Sequence, residues 1–245
     1  MWPQRWLGEA YGSLYWEFER GTFTLADARQ LLKMKESNLN VAFSMLHKAG
    51  TLIVFARGRP RTYRLLDPRS FVLKTSGQVR EAEFAQEQYV QLVYDAARAL
   101  RQHIRMTSLC VFGSVARGKA NRSSDVDLLV ISDDFRGSIA SRIDSLSFVD
   151  REVQEEVRFL RERGHTTAVN VMPLRSEEAE LGPVFLLDLA AGAKILLDEG
   201  EFLGGLLTKL RARLDLAGAR RVETERGWYW DLKPDYKRGE REVVI

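Results

Sequence analysis

The sequence predicts an α/β chain of the α+β kind: a largely helical N-terminal module, a central part mixing strands and helices, and a helical C-terminal part. Three observations predict it. The first third shows helical apolar spacing punctuated by glycines, then two short strand-like runs. The middle holds short apolar runs at 108–112, 125–131 and 167–172, with a long helical stripe before the last. Beyond Pro183 the spacing is helical again.

Residues 7–18 can form a helix bearing Tyr11, Tyr15, Trp16 and Phe18, and Gly21 ends it. Thr24 caps a second helix, to about Lys33, with Asp27 three residues on as in a capping box. Ser37 can cap a third, where Leu39, Ala42, Phe43 and Leu46 recur at helical spacing before Gly50. Runs 51–55 and 62–66 read as strands around the tip Ala-Arg-Gly-Arg-Pro-Arg. Within 77–106, Phe84, Tyr89, Leu92, Val93, Ala96 and Leu100 make a stripe, which predicts a long connecting helix. A second long helix is expected over 139–163, with Ile139, Ile143, Leu146, Val153, Val157 and Leu160 on its buried side. Strand, helix, strand there makes a crossover unit. Pro183 opens a further helix to about Leu197, and 202–216 is amphipathic through Leu203, Leu206, Leu207, Leu210 and Leu214.

The densest chemical signal runs from Gly113 to Asp127. Gly113 ends an apolar strand and permits a sharp turn and close approach of a ligand. Ser114 then starts a short helix, where free amides and a hydroxyl suit a phosphate. Arg117, Lys119 and Arg122 add positive charge. Asp125 and Asp127 open the next strand and share one face. Two carboxylates beside a phosphate cradle suit Mg²⁺, which bridges carboxylates to substrate phosphates. Two such ions can stabilise both oxygens of an in-line displacement.

These residues carry a resemblance to the DNA polymerase β-like nucleotidyltransferases, especially their minimal members. Gly113, Ser114, Asp125 and Asp127 fall on the family motif, and Arg117 and Gly118 fit its Gly-Ser-x-Ala-Arg-Gly form. The resemblance covers about Thr107 to Leu197 and implies a mixed sheet with helices. It implies Mg²⁺-dependent transfer of a nucleoside monophosphate from an NTP, with ATP the expected one, to a hydroxyl. Gly113, Ser114, Arg117 and Lys119 would bind the nucleotide; Asp125 and Asp127 would hold metal. Active members carry a third carboxylate on a later strand. In this sequence Asn170 stands there; it can ligate a metal but cannot take a proton. Glu177 and Glu178 lie just beyond, as acidic residues of a helix's first turn.

Three helices and a basic hairpin over 1–76 resemble a winged helix-turn-helix domain. Its third helix would present Asn38, Asn40, Ser44, His47 and Lys48. Over 51–75, Arg57, Arg59, Arg61, Arg64, Arg69 and Lys74 are offset only by Asp67. Arginines on a wing can contact phosphates or enter a minor groove. The expected nucleic-acid residues are therefore Asn38, Asn40, Lys48, Arg57, Arg59, Arg61 and Arg64. The expected domains are 1–76, a connecting helix at 77–106, a nucleotidyltransferase domain at 107–200, and a C-terminal helix and tail at 201–245. In the tail, Trp228, Tyr229, Trp230 and Tyr236 lie among Arg220, Arg221, Arg226, Lys233, Lys237 and Arg238. Such interleaving can stack bases, or anchor the tail on a core. Winged helix and tail together resemble uncharacterised archaeal nucleotidyltransferase-like proteins.

The chain has 245 residues, 45% hydrophobic and 29% charged, enough for a core and a smaller module. With pI near 9.0 but net charge only +3, any nucleic-acid surface is local. A single cysteine, Cys110, excludes a disulfide framework. No run is long and apolar enough to span a membrane, and the N-terminus lacks a signal-peptide core, so a cytoplasmic protein is expected. Two alternatives stand beside the enzyme. One is a DNA-binding regulator whose nucleotidyltransferase fold only binds nucleotide or is inactive. The other is an antitoxin-like nucleotidyltransferase acting on a partner protein.

Overall fold

The computed structural model describes residues 4–224 and 227–234. Arg226, Tyr236, Lys237 and Arg238 of the tail lie outside them. The N-terminal module begins with α1 (Arg5–Phe18), β1 (Phe23–Thr24), α2 (Leu25–Leu32) and α3 (Glu36–Lys48). The hairpin β2 (Leu52–Ala56) and β3 (Thr62–Leu65) follows. The three strands form one antiparallel sheet in the order β1-β3-β2. The expected capping box starts α2: Thr24 Oγ1 accepts from the Asp27 amide, and the Asp27 carboxylate accepts from the Thr24 amide at 2.8 Å. Ser37, expected as the cap of α3, sits inside it, because the helix already begins at Glu36. Leu7, Leu14, Phe23, Leu39, Phe43 and Leu65 form this module's core.

Between the modules the structure departs from one long helix. Asp67 caps α4 (Pro68–Thr75), its carboxylate accepting from the Ser70 amide. Residues 76–86 are irregular, and after a short 3-10 turn α5 spans only Val90–His103. The intervening backbone is committed elsewhere. The Arg80 amide donates to the Leu196 carbonyl, and the Gln86 side chain pairs with both backbone groups of Ala120 at 2.7 Å. The Arg80 amide is thereby taken from a helical ladder, and the Gln86 side chain fixes the chain beside Ala120.

The central sheet contains β4 (Ser108–Phe112), β5 (Val126–Ile131), β6 (Val169–Leu174) and β7 (Lys194–Asp198), ordered β6-β5-β4-β7. It is mixed: β5 and β6 are parallel, the other pairs antiparallel. A single turn of helix, α6 (Gly113–Ala116), follows β4. The expected helix over 139–163 is two, α7 (Ile139–Ser145) and α8 (Phe148–Glu162). Ile139 and Ile143, expected on the buried side, are exposed; Arg142 of α7 turns inward instead, onto the Gly137 carbonyl and Glu178. The helix expected from Pro183 to Leu197 is also cut short. After α9 (Ser176–Glu180) comes α10 (Leu186–Ala190); Gly192 then breaks the chain and residues 194–198 pair with β4 as β7. The helix α11 (Phe202–Leu216) forms as expected, followed by a hairpin of β8 (Arg220–Thr224) and β9 (Gly227–Asp231).

Strand alternation sorts the core. Leu109, Val111, Leu128 and Val130 pack with α5 and α8. Cys110, Leu129 and Ile131 face α9, α10 and α11. Among the described residues no helix is long and apolar enough to cross a membrane. The N-terminal module is docked on α5 and α8 through apolar packing of Ile53, Phe55 and Leu66 and through charge. Arg64 of β3 makes two bonds to Glu156 of α8, at 2.5 and 3.0 Å, and its guanidinium lies 4.0 Å from the Phe159 ring centre. Arg20 pairs with Asp95 of α5 and with Asp67, 3.2 Å away.

Candidate functional site

The site assembles where β4 ends and, beside it, β5 and β6 begin. Phe112 is the register partner of Asp127, and Asp127 of Asn170, so three neighbouring strands deliver one cluster. Gly113 follows Phe112 with a φ of +72°. A side-chain carbon there would fall on the Asp127 carboxylate. The loop before β5 is locally fastened. Asn121 accepts from the Ser123 amide at 2.7 Å, and Ser124 Oγ accepts from the Asn121 amide at 2.9 Å. That delivers Asp125, whose carboxylate accepts from the Ala168 amide at 2.8 Å.

Asn170 lies between the two carboxylates. Its amide nitrogen donates to Asp125 Oδ2 at 3.3 Å and Asp127 Oδ1 at 3.2 Å. The Asp127 pKa is pushed up mainly by burial, with Asp125 and Asp188 adding to the rise. The Asn170 hydrogen bond and the Arg117 charge oppose it. Ser114 sits half-buried in α6, its carbonyl accepting from the Lys119 amide at 2.9 Å. Gly113, Ser114, Arg117, Asp125, Asp127 and Asn170 thus share one region. Lys119 is more exposed and points to the tail hairpin, pairing with Glu223 at 3.0 Å.

Glu178 does not join the site. It is held by Arg142 at 2.6 and 2.9 Å and accepts from the Arg175 amide. Asp188 is a participant that the sequence reading missed. It projects from α10 to Arg117, Oδ1 to Nη1 at 2.6 Å. A lone aspartate in an apolar run, Val-Phe-Leu-Leu-Asp-Leu-Ala-Ala, was its signal. The described tail aromatics also lie here. Trp228 stacks near Arg117, and the Trp230 indole donates to the Leu187 carbonyl at 3.3 Å.

The donor set suits one hard cation. Asp125 and Asp127 offer carboxylate oxygens, while Asn170 turns its amide nitrogen to both of them. Among the described residues no three His, Cys, Asp or Glu side chains gather as a metal cluster.

The expected nucleic-acid residues divide. Asn38, Asn40 and Lys48 are exposed on α3, and Arg57, Arg59 and Arg61 at the hairpin tip. Arg64 is not available for such contact, being fully buried in its pair with Glu156. It alternates with Tyr63 and Leu65 on β3 and faces inward toward α8.

A family model for a nucleotidyltransferase domain matches residues 93–188. Among solved structures the chain is similar to one described as "Crystal structure of the toxin-antitoxin with AMP-PNP", at 19% identity and a TM-score of 0.33, covering 51% of this chain and 90% of that one. No curated protein matches. Residues 93–188, which hold Gly113, Ser114, Arg117, Lys119, Asp125, Asp127 and Asn170, are therefore the part of the chain that matches a nucleotidyltransferase domain.

Proposed function

We propose that the protein is a Mg²⁺-dependent nucleotidyltransferase, moving a nucleoside monophosphate from an NTP to a hydroxyl. The supporting observation is the fit of the Asp127 carboxylate against Gly113, beside Asp125. It joins the phosphate turn and the carboxylate pair in one place. Gly113 and Ser114 cradle the β- and γ-phosphates. Arg117, or Lys119 once released from Glu223, neutralises phosphate charge, and Asp125 and Asp127 would hold Mg²⁺. The ion would supply charge stabilisation to the transferring phosphoryl group. The hydroxyl oxygen bonds to the α-phosphorus, the bond to the bridging oxygen breaks, and pyrophosphate leaves. Asn170 takes no proton, so it is not the base; the base is unassigned, and the hydroxyl proton ends in solvent.

A second reading is a DNA-binding regulator in which this site only binds nucleotide. Asn170 favours it, because its amide ties both carboxylates together and offers no base. The exposed face of α3 and the tip arginines would then contact DNA as a winged helix.

Label transfer separates the two. The protein is mixed with Mg²⁺, each α-labelled NTP, and total RNA, duplex DNA or cell protein, with Asp127→Asn in parallel. Label moving to one acceptor class, and lost in the variant, supports the transferase. Bound NTP without transfer supports the regulator.

A further inference from the structure

The C-terminal hairpin meets the site at Arg117. The Arg117 guanidinium lies 5.4 Å from the Trp228 ring centre, and Arg221 stacks on the same ring at 4.6 Å. Trp230, two residues on, donates to the carbonyl of Leu187. Leu187 adjoins Asp188, which binds Arg117 at 2.6 Å. A side-chain carbon at residue 192 would stand 3.5 Å from Arg117 Cγ, so the arginine stem passes close over Gly192. The Arg117 side chain is only 16% exposed.

Arg117 is thus held at its stem, on one face, and by one N–H of the fork. Arginine offers five such donors in a rigid plane. The Asp188 bond uses one of them, which leaves others for phosphate oxygens. A guanidinium already ordered by stacking and an ion pair loses less freedom when it binds an anion.

We propose that Trp228 and Asp188 are positioning residues that hold Arg117 for the polyphosphate chain of a nucleoside triphosphate, making the C-terminal hairpin a structural part of the nucleotide site. The inference rests on the nucleotide-binding reading above. It gives the aromatic tail a role distinct from nucleic-acid stacking. It also predicts a signature: Arg117 addresses the outer phosphates, so loss of its support weakens ATP far more than AMP.

The test is calorimetric titration of the full chain with Mg²⁺-ATP and with AMP. The proteins are wild type, Trp228→Ala, Trp228→Phe, Asp188→Asn and Asp127→Asn. Trp228→Ala and Asp188→Asn are expected to weaken ATP roughly tenfold, the order of one charge-assisted contact, while AMP changes little. Trp228→Phe keeps a ring under the guanidinium and restores ATP binding. Equal loss of ATP and AMP in both Trp228→Ala and Asp188→Asn overturns the proposal, as a general structural defect would. Unchanged ATP binding in both, with loss in Asp127→Asn, overturns it and leaves the nucleotide site standing. A wild-type protein that binds neither nucleotide overturns both.

Discussion

The carboxylate of Asp127 occupies the space where the side chain of residue 113 would begin. Strand pairing creates this: Phe112 and Asp127 are register partners, and the chain turns at Gly113 with φ +72° directly beside that pair. A glycine is required twice, for the backbone and for the space. Gly113→Ala should therefore cost about 1–2 kcal/mol from backbone conformation alone. It should also displace Asp127 and weaken Mg²⁺-nucleotide binding more than its stability loss explains. Urea unfolding and nucleotide titration on one preparation measure both; full nucleotide affinity in the variant would sink the close-approach argument.

The docking of the N-terminal module yields a stability prediction. Arg64 and Glu156 are both buried and doubly bonded. Removing one partner leaves a buried charge without compensation, so Glu156→Gln should cost about 3–5 kcal/mol. Replacing both, as Arg64→Met with Glu156→Leu, should recover most of that loss, because a packed apolar pair avoids desolvation. Chemical denaturation of the single and double variants checks this. A double variant as unstable as the single would mean that the pair itself supplies the stability.

The hairpin tip makes a separate prediction about nucleic acid. Arg57, Arg59 and Arg61 are exposed, while Arg64 is not. Arg59→Ala with Arg61→Ala should weaken duplex binding and reduce its logarithmic salt slope by about two. Arg64→Ala should act through stability instead. Binding that ignores salt, measured by fluorescence anisotropy across ionic strength, removes the wing as a contact surface.

Much of this arrangement was legible because the signals were local. The capping box at Thr24 and the turn at Gly113 each sit within a few residues of what they control. The leucine spacing of α11 is local too. The errors arose where distant partners decided. Gln86 and Arg80 bond to Ala120 and Leu196, which no helical stripe over 77–106 can reveal. Arg64 reads as a wing arginine until Glu156, far along the chain, takes it inward. Asp188 enters the site through the fold of α10, not through any motif. The strand at 194–198 had a legible cue in Gly192, but the apolar run beyond it fits helix and strand alike.

The pair of Arg142 and Glu178 gives an acid-side prediction away from the site. Arg142 is nearly buried and binds both carboxylate oxygens. That hydrogen bonding holds the Glu178 carboxyl at about 2, below its usual 4.5. A carboxyl depressed in the folded state stabilises fully above the unfolded pKa, and the contribution disappears as pH falls from about 4.5 toward 2. Solvent reaches Glu178, so the contribution should be about 1 kcal/mol rather than the full value of the shift. Glu178→Gln should lower stability by that amount at pH 7 and match the wild type near pH 2. Arg142 keeps its bonds to the Gly137 carbonyl in that variant, so the local turn should survive. Urea midpoints measured from pH 7 to pH 2 give the answer, and a constant gap between the two proteins across that range would show that Glu178 is not the titrating group.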